Sequence, residues 1–213
     1  MKKIYCISGL GADEGAFSRL RIPGHQLIYL PWLLPETKES IHVYAKRMSV
    51  VITEENPIIM GLSFGGMMAI EIAKFLPVKQ IILISSISTM HDLPSWMKHA
   101  AKLNLNKMFS MRSSKLLEPI QNRLLGISKD SAEIEMVRNY RKNAPFSYTT
   151  WAVNEVINWR NNFQHPSLFH IHGDNDKMFP IKKLSPTCVV KGGGHFMIMN
   201  KSAEVSAYIN SIL

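Results

Sequence analysis

Pro57-Ile58-Ile59-Met60-Gly61-Leu62-Ser63-Phe64-Gly65-Gly66-Met67-Met68-Ala69-Ile70-Glu71-Ile72-Ala73-Lys74-Phe75 is the stretch on which the fold turns. Residues 57–62 form a short, continuously apolar run, the pattern of a strand buried on both faces. Residues 65–75 are apolar nearly all round, so a helix there must be covered on every side. Between the two lies Gly61-Leu62-Ser63-Phe64-Gly65, the pattern G-x-S-x-G. A serine held on a sharp strand-to-helix turn has a strained backbone, and its neighbours must be small where strand and helix nearly touch. Gly61, Gly65 and Gly66 fill those positions. The following helix also points its positive end at any oxyanion forming beside Ser63. A chance match in an ordinary crossover is the bland alternative, but the flanking strand and helix stand in the order a reactive serine requires.

Working outward, strand and helix alternate. Apolar runs at 3–8, 26–30, 80–85, 167–172 and 186–190 read as five further strands. Residues 40–53 carry Ile41, Ala45, Met48 and Ile52 on one face of a helix, and 202–213 close the chain as another. Apolar strands separated by helices predict an α/β fold with a mostly parallel sheet of about six strands, covered on both faces. One interval breaks the rhythm. From about 89 to 165 the pattern offers only helical stretches, at 96–109, 114–125, 131–143 and 148–159. So long a connection is too large for a loop. The expectation is one domain, 1–213, whose core (1–89 and 166–213) carries a helical cap inserted after the fourth strand, at about 90–165.

A serine is a poor nucleophile without a base, and the base needs an orienting acid. The fifth strand leads into His172-Gly173-Asp174-Asn175-Asp176-Lys177-Met178-Phe179-Pro180, and the sixth into Gly192-Gly193-Gly194-His195-Phe196. Loops at the C-terminal ends of neighbouring parallel strands meet at one edge of the sheet. His195 is the base this arrangement offers, and Asp176, four residues past His172, is the favoured acid. Asp174 is the alternative, better suited to binding backbone amides of the turn. His25, His42, His91, His99, His165, His170 and His172 read as structural or surface residues. His170, His172, Asp174 and Asp176 also offer metal-ligating chemistry, since alternate strand positions share a face, but no further ligand cluster accompanies them, and no metal is expected.

The first loop, Ser8-Gly9-Leu10-Gly11-Ala12-Asp13-Glu14-Gly15, superficially matches the glycine loop of dinucleotide-binding proteins. That reading wants an acidic residue ending the second strand, where Leu30-Pro31-Trp32 stands, and a Tyr-x-x-x-Lys pair, which no tyrosine provides. The reading that uses the same site as Ser63 is an oxyanion hole, built from the backbone N–H groups of Leu10 and Phe64.

Together these residues resemble a small member of the α/β-hydrolase superfamily, over nearly the whole chain outside the cap. The resemblance implies Ser63 as nucleophile, Asp176 as acid, His195 as base, and Leu10 and Phe64 as oxyanion donors. Ser8-Gly9 stands where the family usually has His-Gly. The chain opens at the equivalent of the family's third strand, which also implies six strands. A serine nucleophile argues against the branches that attack with aspartate. The expected activity is carboxylesterase-like, cleaving an ester-type bond of a small, largely apolar substrate through an acyl-enzyme, without a cofactor. A thioesterase, C–C hydrolase or lyase using the same triad stays open, as does a non-catalytic ligand-binding relative. Trp96, Met97, Trp151, Met178, Phe179, Phe196 and Met197 are the candidates for lining the substrate pocket, beside Leu10 and Phe64.

Composition bounds the rest. With 213 residues and 46% of them hydrophobic, the chain has the material for a single core. Twenty-five Lys+Arg against 16 Asp+Glu give a net charge of +9, but the basic residues are scattered in pairs rather than blocks, so a nucleic-acid partner is not expected. Residues 91–165 hold 11 Lys+Arg and 6 Asp+Glu, just over half the excess on about a third of the chain. If that charge matters, it points to an anionic substrate or product at the cap. Cys6 and Cys188 lie in apolar runs and read as buried free thiols. No apolar run reaches the roughly 18 residues of a membrane span. The N-terminal run reads as a strand rather than a signal peptide, so a cytoplasmic protein with a small-molecule substrate is expected.

Overall fold

The computed structural model describes residues 1–102 and 118–213. Strands β1 (Lys2–Ile7), β2 (His25–Tyr29), β3 (Ile58–Leu62), β4 (Gln80–Ile84), β5 (Leu168–Gly173) and β6 (Cys188–Val190) form a six-stranded sheet in the order β2-β1-β3-β4-β5-β6. Every pairing is parallel. The chain moves from β1 outward to β2 and then returns to the other side of β1 for β3. That reversal opens a crevice at the C-terminal ends of β1 and β3, where the first loop and Ser63 sit.

Strand alternation divides the core in two. Tyr5, Ile7, Ile59, Ile81 and Leu83 face one layer, while Ile4, Cys6, Met60, Ile82, Ile84 and Ile171 face the other. The first layer is closed by helices α1 (Ile41–Ser49) and α2 (Phe64–Ala73). Ser40 caps α1 by accepting from Val43 N–H. Every residue of α2 from Phe64 to Ile72 is buried, as its all-round apolarity requires. Beneath the second layer lie a one-turn 3-10 helix (Glu14–Phe17), the short α7 (Met197–Asn200) and the C-terminal α8 (Ser202–Ile212). Periodicity has no purchase on elements as short as the first two, and the sequence shows neither.

Between β4 and β5 run α3 (Ser95–Lys102), α4 (Glu118–Leu125), α5 (Ser131–Asn143) and α6 (Phe146–Asn158). The expected helical stretches 96–109 and 114–125 fall partly outside the described residues. The insertion is bolted to the core by polar contacts. Trp159, just past α6, donates its indole N–H to the buried Glu71 of α2 at 2.8 Å, and Trp151 donates to the Glu39 carbonyl at 2.7 Å. Arg19 reaches both Asp130 and Glu133 at the start of α5. No described helix is long and apolar enough to cross a membrane. Cys6 is buried and free; Cys188 is also free but only half-buried, because β6 is the edge strand.

Candidate active site

Ser63 occupies the turn between β3 and α2 with φ 53° and ψ −118°, a conformation side-chain-bearing residues rarely adopt. Three hydrogen bonds hold it there. Its N–H donates to the Ile84 carbonyl at 2.9 Å, and its own carbonyl accepts from Ser86 Oγ at 2.7 Å and Gly66 N–H at 2.9 Å. The glycines are demanded by contact: a Cβ on Gly61 would strike the Gly65 carbonyl, and one on Gly65 would strike the carbonyls of Ile7 and Ser8. Strand, turn and helix touch backbone to backbone at these two positions, so no larger residue fits.

The Ser63 hydroxyl lies 2.9 Å from His195 Nε2, and His195 Nδ1 lies 2.8 Å from Asp176 Oδ2. Because an ionised carboxylate only accepts, Nδ1 carries the proton and Nε2 is left to accept from the hydroxyl. Asp176 is 4% exposed. Burial alone would raise its carboxyl, but the electrostatic attraction and hydrogen bond of His195, the nearby His172 ring and the amide of Phe179 outweigh it and hold the group below the usual carboxylate range. Its other oxygen, Oδ1, accepts from the N–H groups of Met178 and Phe179 at 2.8 and 2.9 Å. Asp174 does different work. It is exposed and accepts from Gly192 N–H at 2.6 Å, tying the loop after β5 to the loop after β6.

Behind Asp176 stands a second, buried histidine pair. His172 Nε2 donates to the Phe179 carbonyl at 2.8 Å and lies 3.3 Å from Asp176 Oδ2, while its Nδ1 is 3.2 Å from His170 Nε2. Burial lowers the pKa of both, His170 from its ordinary 6.5 to about 4. Among the described residues no group of three or more His, Cys, Asp or Glu side chains is placed to hold a metal ion.

Facing this chain is the first loop. Gly9 packs against Ser63, with room for a Cβ only 3.5 Å from Ser63 Cβ, and Gly11 has φ 74°. Neither Leu10 nor Phe64 N–H has an acceptor among the described residues, and Phe64 opens α2, where N–H groups lack helical partners. Ser8 is fully buried; its hydroxyl donates to the Ala12 carbonyl at 2.5 Å and accepts from Trp32 Nε1 at 3.0 Å. The same indole N–H reaches the Gly9 carbonyl at 3.1 Å.

No protein-family model matches the chain, and no curated protein sequence does. Solved structures match over its full length. The lipase-esterase related protein of Clostridium acetobutylicum ATCC 824 superposes with a TM-score of 0.72 at 14% identity, covering 100% of this chain and 94% of its own. A thermophilic esterase from Thermogutta terrifontis gives 0.68 at 15%, covering 99% and 89%. The esterase EaEST from Exiguobacterium antarcticum gives 0.69 at 13%, covering 99% and 91%. This is the α/β-hydrolase fold.

Within the α/β-hydrolase frame the expected pocket residues divide. Trp151 stays at the crevice, its ring 6.0 Å from Phe64 and stacked on Tyr44 at 4.3 Å. Phe179 sits edge-on to His195 at 5.4 Å, and Met178 is half-buried beside it. Met97 is 7% exposed and packs in the first core layer, whereas Trp96 is 47% exposed on the outer side of α3. Phe196 and Met197 are corrected by the structure. Both belong to the second core layer, on the opposite face of the sheet, and Met197 has no exposed surface at all. The turn after His195 carries the chain straight down into α7, so these side chains point away from the crevice. The sequence reading missed Trp32 and Tyr148. Trp32 stacks on Phe64 at 5.1 Å, and Tyr148 lies 5.4 Å from Trp32. The available signal was position: Trp32 follows the C-terminal end of β2, the edge where the loops of a parallel sheet converge.

Proposed function

We propose that the protein is a serine hydrolase, carboxylesterase-like, cleaving an ester-type bond of a small and largely apolar substrate. The observation that carries this reading is the unbroken Ser63–His195–Asp176 chain, with links of 2.9 and 2.8 Å, on a strained strand-to-helix turn. Ser63 Oγ attacks the carbonyl carbon while His195 Nε2 takes its proton. Asp176 fixes the tautomer and steadies the imidazolium that results. The oxyanion of the tetrahedral intermediate accepts from the N–H groups of Leu10 and Phe64. His195 then protonates the leaving oxygen, the C–O bond breaks, and an acyl-Ser63 remains. Water activated by the same imidazole releases the acid and restores the serine. Residues of about 90–165 serve as the cap, bringing Tyr148 and Trp151 against Trp32 and Phe64; this aromatic wall suits an apolar acyl or aryl group. The neighbours named as esterases are consistent with this reading.

Labelling with a fluorophosphonate and turnover of p-nitrophenyl esters of rising chain length test it together. Wild type labels and turns over short esters, and Ser63→Ala and His195→Ala each abolish both while keeping the native unfolding midpoint. A folded wild type that neither labels nor hydrolyses any ester would overturn the proposal.

A further inference from the structure

Arg141, on the buried face of α5, is 8% exposed. Its Nη2 donates to Asn122 Oδ1 at 2.8 Å, but its Nη1 is buried with no partner among the described residues. Among the described residues no carboxylate lies within ion-pair distance of it; the neighbouring Glu118 is taken by Arg138 at 2.7 Å. Guanidinium stays charged at any ordinary pH, and a buried charge without a counter-ion is among the least favourable things a fold can keep. Elsewhere the molecule avoids it. Buried Glu39, Glu71 and Glu133 each meet a cation, from Arg47, Lys74 and Arg19 respectively.

Its position explains why such a cation is tolerated. Beside it, Tyr140 and Ala144, at the end of α5 and just past it, rest on the first loop: a Cβ on Gly15 would crowd Tyr140 Oη at 3.1 Å, and one on Gly11 would crowd Ala144 Cβ at 3.3 Å. Asn122, the partner of Arg141, lies one turn before Leu125 on α4, whose carbonyl accepts from Phe196 N–H at 2.8 Å. Gly126 then packs on Gly194 and His195. Arg141 thus spans the part of the insertion seated on the first loop and the part seated on the loop of His195. Ser63 lies between those two loops. We propose that Arg141, between the two loops that flank Ser63, receives an anionic group, a carboxylate, carried by the substrate. A ligand carboxylate supplies the counter-ion that the chain omits, and the excess of Lys+Arg on residues 91–165 draws such a substrate in. The inference rests on the hydrolase reading and narrows its substrate to an apolar ester with an anionic end.

Pairs of esters equal in size but differing in charge test it. Mono-p-nitrophenyl glutarate against its methyl diester places the charge on the acyl side, and 4-acetoxybenzoate against its methyl ester places it on the leaving side. Wild type favours one anionic ester over its neutral twin by about tenfold to a hundredfold in kcat/KM, the worth of one charge-assisted hydrogen bond. Arg141→Met erases that preference, and Arg141→Lys retains part of it. Wild type without preference for either anionic ester, or Arg141→Met losing charged and neutral substrates alike, would overturn the proposal. So would a marked fall in the unfolding midpoint of Arg141→Met, the mark of a mere strut between α4 and α5. Failure of the hydrolase reading looks different, as absence of labelling and of all turnover. Glutarate binding measured by calorimetry then decides the anion site: binding lost in Arg141→Met upholds it, and no binding to wild type overturns it.

Discussion

Asp174 and Asp176 stand two residues apart in one loop, yet their surroundings separate them. Asp176 is sealed against His195, His172 and two backbone amides, whereas Asp174 faces solvent and pins Gly192. Under the proposed mechanism Asp176→Asn leaves the loop in place but offers His195 the wrong hydrogen-bond partner, and kcat falls by roughly 10⁴. Asp174→Ala costs about 1 kcal/mol of stability and leaves most of the activity. Steady-state kinetics and urea unfolding of the two variants distinguish them; a larger kcat loss in Asp174→Ala would reverse the assignment. At Gly65 the consequence is steric. Gly65→Ala drives a methyl into the carbonyls of Ile7 and Ser8, neither of which can retreat within the sheet edge. Its unfolding free energy drops by about 1–3 kcal/mol or more, and an unchanged midpoint would contradict the backbone contact.

At the level of elements, the first loop owes its shape to a residue outside it. Trp32 binds both Ser8 Oγ and the Gly9 carbonyl through one indole N–H and stacks on Phe64. Trp32→Phe keeps the stack and removes the two hydrogen bonds. Under the proposed mechanism the loop then loses its hold on the orientation of Leu10 N–H, and kcat declines by about tenfold with KM little changed, since an oxyanion donor acts in the transition state. A rise in KM alone would place Trp32 in substrate binding instead. Strand and helix limits were legible because continuous apolar runs and a 3.6-residue period report burial directly. Phe196 and Met197 were misplaced because adjacency to His195 in sequence says nothing about which side of the sheet the next turn enters. The 3-10 helix and α7 escaped notice because four residues carry no period.

For the whole molecule, pH is the natural probe. His170 and His172 are buried neutral, with pKa values lowered by desolvation, and that of Asp176 is lowered by its partners against the pull of burial. The unfolded chain binds protons at histidine below about 6.5 while the folded one resists until about 4 for His170, so stability is present above that range and falls as pH drops through it. Asp176 acts in the same direction at lower pH, since the unfolded carboxyl protonates first. Each histidine contributes a slope of up to about 1.4 kcal/mol per pH unit. Urea midpoints at pH 7.5, 6 and 5 should decline in that order, and less steeply in His170→Gln; a flat profile would mean that the two histidines titrate alike in the folded and unfolded chain.

The sequence by itself determined the parallel sheet, the strained serine turn and the loops that supply His195 and the two aspartates. Each is written in local chemistry: apolar runs, glycines where backbones touch, and chain order along one sheet edge. Only the tertiary structure separated Asp176 from Asp174, sent Phe196 and Met197 into the far core, and set Trp32 beneath the first loop. It also buried Arg141 with no carboxylate in ion-pair reach among the described residues. These depend on which residues distant in sequence become neighbours, and packing, not periodicity, decides that.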